Sequence, residues 1–166
     1  MQHLPPPPIV KCVSCTPSEK QTLDFLQSNR GIRDKNALAV VLGNIKQESN
    51  FTPNVCEGGA RVPYSSCGYG GYGLIQWTSS NRYFGLGRFC NNHGCNPSKL
   101  LGQLRYMVTE HQWFRFEQKL KQPGKSIDQY MRYAYNWLGW GIHGNRTRYA
   151  YNYASRFTVT PAGTVA

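Results

Sequence analysis

Helical spacing of apolar residues, between clear start and stop signals, constrains this chain more than any other feature. In "TPSEKQTLDFLQSNRG", Thr16 is a favourable helix cap, Pro17 suits the first helical position, and Glu19 completes a capping box. After Gly31, a second segment begins at Asp34, and its apolar residues recur three and four positions apart in "DKNALAVVLGNIKQES". The sequence therefore predicts a domain built mainly of amphipathic helices.

One short apolar run interrupts this helical pattern. The run "GYGLIQW" follows a segment rich in Gly, Pro, Asn and Ser, which favours a strand in a small hairpin. Further helices are predicted from Thr78 or Ser79 to Phe89, from Asn96–Pro97 through "LLGQLRYMVTEHQW", from Ser126 to Trp137, and from Asn145 to about Phe157. We expect an α+β domain that is mostly α-helical and carries a small β-hairpin.

The length of 166 residues suits one domain rather than two. We place a Pro-rich arm at residues 1–15, the domain at 16–158 and a C-terminal tail at 159–166. The arm contains a stiff polyproline stretch, which is interpreted either as a docking strand or as a disordered tail. Its prolines are Pro5, Pro6, Pro7 and Pro8.

The charge of the chain indicates its partners rather than its fold. A formal net charge of +11 attracts polyanions, but Lys and Arg are scattered and form no basic helix face, so no nucleic-acid binding is predicted. No apolar run approaches the roughly 20 residues needed to span a bilayer. The start "MQHLPPPPIVKC" lacks the features of a secretory signal, so we expect synthesis in the cytoplasm without a signal peptide.

The six cysteines form three close pairs: Cys12/Cys15, Cys56/Cys67 and Cys90/Cys95. One interpretation is disulfide bonds, with Cys56–Cys67 stapling one loop and Cys90–Cys95 closing another. The alternative is a structural zinc held by "CVSC" and "CNNHGC". We favour disulfides, because the C-x4-C spacing is looser than that of a usual zinc knuckle. The histidines show no ligand spacing, so no catalytic metal and no cofactor are predicted.

Glu48 is the candidate catalytic residue. Counting in threes and fours from Val41 through Ile45 reaches Glu48, which places its carboxyl group on the buried stripe in the last helical turn. Burial and the negative end of the helix dipole both disfavour an ionised carboxylate there. A protonated carboxyl group is what a glycoside hydrolase uses to protonate a glycosidic oxygen. A Glu in this position is also commonly structural, so the position alone does not decide.

Two long motifs and their order resemble the phage tail lysozyme family. They are "LGNIKQESNFTPN" and "GYGLIQWTSSNRY", followed by "LLGQLRYMVTE" and a closing helix with Arg148 and Tyr149, and the resemblance covers roughly residues 17–157. It implies a lysozyme-like fold whose hairpin lines a cleft. It also implies a virion-associated hydrolase in which Glu48 is the acid that cleaves peptidoglycan between N-acetylmuramic acid and N-acetylglucosamine.

The resemblance further implies a place in the phage tail and a role in cell-wall penetration during entry. The expected partners are bacterial peptidoglycan and other tail or baseplate proteins, the latter through Pro5 to Pro8. An endolysin of the same chemistry, a lytic transglycosylase and an inactive tail or wall-binding protein are the alternatives.

Other residues near the two motifs are candidates for supporting roles. Glu57, nine positions after Glu48, is a candidate second carboxylate or an exposed loop residue. Ser49 is expected either to orient the acid or to cap the helix. Predicted substrate contacts are Gln76, Tyr72, Trp77 and Tyr69, with core packing as the alternative for Trp77 and a backbone-bonded amide as that for Gln76. Glu110 and Glu117 are interpreted as structural, with Glu117 on a helix exterior.

Overall fold

The computed structural model describes residues 8–161, so Pro5, Pro6 and Pro7 of the predicted docking stretch lie outside the described residues. Within that range the chain forms seven α-helices: α1 Pro17–Ser28, α2 Lys35–Ser49, α3 Ser79–His93, α4 Leu100–Met107, α5 His111–Leu120, α6 Ile127–Leu138 and α7 Arg146–Arg156. A short 3-10 helix spans Tyr64–Ser66.

Four short strands form two antiparallel pairs. Strand β1 (Ile9–Lys11) pairs with β4 (Thr158–Thr160), and β2 (Gly70–Tyr72) pairs with β3 (Trp77–Thr78) in a hairpin. The prediction of a mostly α-helical α+β fold of the lysozyme-like kind is confirmed. The run "GYGLIQW" is only partly strand, because residues 73–76 form the hairpin turn.

The predicted helix starts agree with the structure where they depend on local bonds. Thr16 accepts a hydrogen bond from the Glu19 backbone, and the Glu19 side chain accepts one from the Thr16 backbone. Asp34 accepts from the backbone N–H of Ala37. The helix predicted through "LLGQLRYMVTEHQW" is instead two helices, because the chain turns after Met107 and Glu110 becomes the N-cap of α5.

Part of the predicted N-terminal arm packs against the helices, while the boundary at residue 15 stays a prediction. Val10 in β1 is buried, and the Gln27 side chain on α1 holds its backbone by accepting from its N–H at 2.8 Å and donating to its C=O at 2.9 Å. Cys12 and Cys15 are buried as well. Val10, Cys12 and Cys15 therefore pack in the core, and β4 is joined to this segment through its pairing with β1.

Helix α2 is the central helix and packs most extensively against α7. At Gly43 the two backbones approach so closely that a Cβ atom would lie 2.7 Å from the Ala150 nitrogen and 2.9 Å from the Arg146 oxygen. The apolar residues of α2 from Ala37 to Leu42 are fully buried. This contact positions the end of α2 relative to the start of α7.

All six cysteines are paired in disulfide bonds: Cys12–Cys15, Cys56–Cys67 and Cys90–Cys95. The favoured interpretation agrees with the structure, whereas a zinc site would need these sulfurs free as thiolates. Across residues 8–161, no helix has both the length and the apolar character that crossing a membrane requires.

Candidate functional site

A cavity of about 340 Å³ lies where the end of α2 meets the loop 55–59 and the hairpin turn. Helix α2 supplies its most polar wall, and the glycines of the loop form the opposite side. The lining residues are Lys46, Gln47, Glu48, Ser49, Asn50, Val55, Cys56, Gly58, Gly59 and Gln76. Three of the residues predicted from sequence, Glu48, Ser49 and Gln76, thus meet in one cavity.

Arg146 holds the Glu48 carboxylate in place. The Arg146 Nη2 atom donates to Glu48 Oε2 at 2.5 Å, and Arg146 Nη1 donates to Asn44 Oδ1 at 3.3 Å. The face of the Trp140 ring lies 4.6 Å from the guanidinium carbon. The side chain of Glu48 is 16% exposed and that of Arg146 is 5% exposed. Within the described part of the chain, no donor binds Glu48 Oε1, so one carboxyl oxygen is left for a ligand.

The Gln47 side chain at the end of α2 contacts the main chain just before α7. Gln47 Oε1 accepts from the backbone N–H of Asn145 at 2.9 Å, and the Gln47 amide packs directly against Gly144. Together with the close approach at Gly43, these contacts place Arg146 beside Glu48. The geometry of the ion pair is therefore determined by the packing of two helices.

Arg146 was not among the predicted site residues, although its spacing in the sequence indicates a buried position. Arg146 precedes the buried residues Ala150 and Tyr153 by four and seven positions, which puts it on the apolar face of its helix. The same spacing argument selected Glu48. A cation and an anion that both occupy buried stripes of neighbouring helices are candidates for a pair.

Ser49 and Gln76 connect the hairpin to the rest of the cavity wall. The Ser49 hydroxyl donates to the Leu74 carbonyl at 2.8 Å. Gln76 has a left-handed backbone (φ 53°), and its Nε2 donates to the carbonyls of Gly73 at 3.0 Å and Val55 at 3.3 Å. The amide thus bonds the backbone, as the alternative interpretation held, while its oxygen accepts no hydrogen bond from the described residues.

The sequence predicts that Tyr72 and Trp77 contact substrate, and this role stays a prediction. Both side chains are fully buried. The Tyr72 hydroxyl donates to the Val62 carbonyl at 2.9 Å, and the Trp77 indole donates to Glu110 Oε1 at 2.7 Å. Neither residue is in the cavity lining, because both rings pack in the hydrophobic core. Tyr69 is 83% exposed and lies outside the cavity lining.

Glu57 is exposed and lies beside the cavity rather than in its lining. Its side chain and that of Gln76 both adjoin Gly71, since a Cβ atom on Gly71 would lie 3.4 Å from Glu57 Oε2 and 3.1 Å from Gln76 Oε1. Its neighbours Cys56 and Gly58 line the cavity. A role as second carboxylate stays a prediction.

Glu110 and Glu117 are buried ion-pair residues. Arg82 binds Glu110 through Nε and Nη2, both at 2.9 Å. Arg30 binds Glu117 at 2.6 and 2.9 Å, so the predicted exterior position of Glu117 is wrong. Burial by itself raises the pKa of the Glu117 carboxyl, but the bonds from Arg30 and Trp113 outweigh it and hold the pKa below its ordinary value.

A mostly helical α+β domain with a half-buried glutamate at the end of its central helix, beside a hairpin and a polar cavity, belongs to the lysozyme-like class. The sequence profile of the phage tail lysozyme family matches residues 18–157. The chain therefore belongs to the phage tail lysozyme family, and this membership supports a lysozyme-like peptidoglycan hydrolase role. Neither curated proteins nor solved structures gave a significant match to the chain.

Proposed function

We propose that the protein is a muramidase-type glycoside hydrolase that cleaves the bond between N-acetylmuramic acid and N-acetylglucosamine in peptidoglycan. The observation that carries this proposal is Glu48, whose carboxyl group faces a cavity with one oxygen bound to Arg146 and the other without a donor among residues 8–161. Family membership supports peptidoglycan as the substrate.

In the proposed step, Glu48 Oε1 gives its proton to the glycosidic oxygen as the bond from that oxygen to the anomeric carbon breaks. The bonding electrons stay on the leaving oxygen. Water adds to the anomeric carbon and gives its proton to a carboxylate base, which is either Glu57 or the ionised Glu48, and the latter restores the acid. Arg146, already on Oε2, stabilises the carboxylate that proton transfer leaves behind. Its fixed position means that little reorganisation accompanies this change of charge.

The remaining candidates have supporting roles in this proposal. The free oxygen of Gln76 is an acceptor for the N–H of an N-acetyl group, and Ser49 keeps the hairpin against the acid. Exposed Tyr69 is a candidate for stacking on a sugar ring. Glu57 is the candidate that activates the attacking water or acts as nucleophile, as the carboxylate partners of other glycosidases do.

The direct test is Glu48→Gln, which keeps the shape of the side chain and removes its acid. We expect lysis of purified peptidoglycan, measured as loss of turbidity, to fall by about a hundredfold to ten-thousandfold. Thermal unfolding should stay close to that of the native chain. Asp24→Asn is the matched control, because it removes an exposed carboxylate on α1. Undiminished clearing by the Glu48 variant would contradict the assignment.

Product analysis separates the related activities. Hydrolysis leaves a reducing muramic acid end, and a 1,6-anhydromuramic acid end would identify a lytic transglycosylase instead. Wall binding without any cleavage would favour an inactive structural protein. Glu57→Gln tests the second carboxylate, since loss of turnover with unchanged substrate binding is expected only if Glu57 takes part in the chemistry.

We place the enzyme in the phage tail, where it opens the wall during entry, and family membership is the support for this location. Mass spectrometry of purified virions tests it. Detection of the protein in tails supports an entry enzyme, whereas its absence from particles and its accumulation in late infected cells would identify an endolysin.

A further inference from the structure

A second and larger cavity, of about 440 Å³, lies between α5 and α6 and shares no lining residue with the Glu48 cavity. We propose that this second cavity binds a saccharide or polyol unit that carries one anionic group, as part of a cell-wall polymer. The inference rests on the proposed function for its choice of polymer, while the site itself is argued from its own residues.

The cavity carries uncompensated positive charge. His111, Arg115 and Lys119 follow each other at intervals of four on α5, so they occupy one helix face, and all three line the cavity. Neither Arg115 nor Lys119 takes part in an ion pair within the described part of the chain, and no acidic side chain is in the lining. The acid nearest in sequence, Glu117, is bound by Arg30.

Aromatic side chains form the floor of the cavity. Phe116 and Trp137 are buried and stacked, with ring centroids 5.0 Å apart and planes 17° apart. The Tyr133 ring stands against the Lys119 ammonium, whose nitrogen is 5.2 Å from its centroid. Flat apolar faces beside amides and cations are what a sugar or polyol requires, because its C–H groups pack on rings while its hydroxyl groups bond polar atoms.

Trp137 adds an independent observation. Its indole N–H is buried and has no acceptor among residues 8–161, although the residue lines the cavity. A buried donor without a partner is unfavourable, because it has lost its hydrogen bond to water. Ligand binding that moves the lining side chains apart would let a ligand oxygen supply the missing acceptor. The side chains of Gln112 and Asn136 offer further amide groups in the same lining.

The size of the site favours one small anionic unit over a long polyanion. Arg115 and Lys119 are four positions apart on one helix, which is about 6 Å, so they match one or two charges rather than an extended phosphate backbone. The volume lies within the range of small-ligand sites, about 300–1,000 Å³. Two wall polymers provide this chemistry: a polyol phosphate chain, and peptidoglycan with the carboxylates of its peptide stems.

The test is calorimetric titration of the Glu48→Gln variant with two probes, a glycerol phosphate oligomer and a disaccharide-pentapeptide. The glycerol phosphate oligomer contains no glycosidic bond, so its binding is independent of whether Glu48 is the catalytic acid. The cavity variant is Arg115→Gln/Lys119→Gln. The matched control is Lys99→Gln/Arg132→Gln, which removes the same charge from exposed positions outside the cavity.

We expect at least one probe to bind and its affinity to fall about tenfold or more in the cavity variant, with little change in the control. Trp137→Phe, which keeps the aromatic packing, should weaken the same probe several-fold. The probe that responds identifies the polymer. Absence of binding by both probes, or an equal loss in cavity and control variants, would overturn the proposal. Tighter binding of a DNA duplex of matched charge than of either probe at the cavity would also overturn the proposal.

Discussion

Glu48 and Glu110 each meet an arginine, yet the two sites differ in how completely the carboxylate is bound. Both oxygens of Glu110 accept hydrogen bonds, from Arg82 in a two-point contact and from the Trp77 indole. Among residues 8–161, Glu48 accepts a hydrogen bond from a side chain only through Oε2, and its side chain borders a cavity. A carboxylate with every acceptor filled holds structure together, whereas one with an unused oxygen is available for chemistry.

The two arginines differ in the same way. Arg82 uses Nε and Nη2 on a single carboxylate, which is the strongest geometry for this pair. Arg146 divides its donors between Glu48 and Asn44, and its buried Nε has no acceptor within residues 8–161. Near Glu110, burial and then the charge of that carboxylate raise the pKa of the Tyr106 hydroxyl to about 12.

The largest expected effect is a loss of stability at Glu110, whose two carboxylate oxygens both accept hydrogen bonds. Glu110→Ala removes three hydrogen bonds and leaves Arg82 and Trp77 without a partner, so it should cost about 3 kcal/mol of unfolding free energy. Chemical denaturation measures this. Glu48→Gln should cost far less stability and far more activity. Equal stability losses in the two variants would remove the distinction between the sites.

The next effect concerns the loop that forms one wall of the open site. Cys56→Ser/Cys67→Ser should lower stability by about 2–3 kcal/mol, seen as a melting temperature about 5–10 °C lower. Activity should fall with it, because Cys56 lines the cavity. Cys90→Ser/Cys95→Ser is the control: it opens a disulfide outside the cavity lining, so it should reduce stability without the same loss of turnover at a temperature where both variants are folded.

A smaller effect is expected for Arg146→Lys. The ammonium keeps the charge, but one nitrogen cannot hold Glu48 and Asn44 in the fixed geometry of a guanidinium. Activity should fall about tenfold with modest loss of stability. Arg156→Lys, also in α7 but bound to Asn152 and Ser14, should behave like the native chain in the same turbidity assay. Native activity in Arg146→Lys would show that charge alone is required.

The smallest expected effect is the decrease in stability at low pH. Burial raises the pKa of Glu19, but bonds from Tyr153 and Thr16 outweigh it, so the pKa lies below its ordinary value of 4.5, as it does for Glu117. Such groups stabilise the fold fully above the unfolded value and lose that contribution as the pH falls through the folded value.

Melting temperatures between pH 7 and pH 3 test this dependence. The melting temperature should be nearly constant at pH values above the ordinary glutamate pKa of 4.5, and it should decrease at lower pH. Glu117→Gln should start lower at pH 7 and fall less steeply, so that its curve approaches that of the native chain in acid. Parallel curves for the two proteins would show that Glu117 does not contribute to the acid sensitivity.

Local bonds explain which features could be predicted from the sequence. The caps at Thr16 and Asp34 depend on residues three positions away, and the stripe that selected Glu48 depends on one helix. The features that were not predicted depend on partners that are far away in the sequence. Arg146 is 98 residues from Glu48, and β1 meets β4 across nearly the whole chain. No periodicity within one segment carries that information.

The break in the predicted helix and the burial of two aromatic candidates have the same physical origin. The helix predicted through Glu110 breaks because that side chain is held beneath the hairpin by Arg82 and Trp77, whose bonds outweigh local helix propensity. Tyr72 and Trp77 were predicted as sugar contacts because aromatic residues in a cleft motif suit that role. Their hydroxyl and indole groups instead have partners inside the protein, and this depends on the three-dimensional arrangement.

The close approach at Gly43 has a consequence for redesigning the enzyme. Since main-chain atoms of α2 and α7 touch there, the distance between the acid and its cation is fixed by a contact that no side-chain exchange can tune gradually. Even an alanine must push the helices apart. Directed evolution toward new glycans should therefore leave this helix pair intact and vary lining residues outside it, such as Val55.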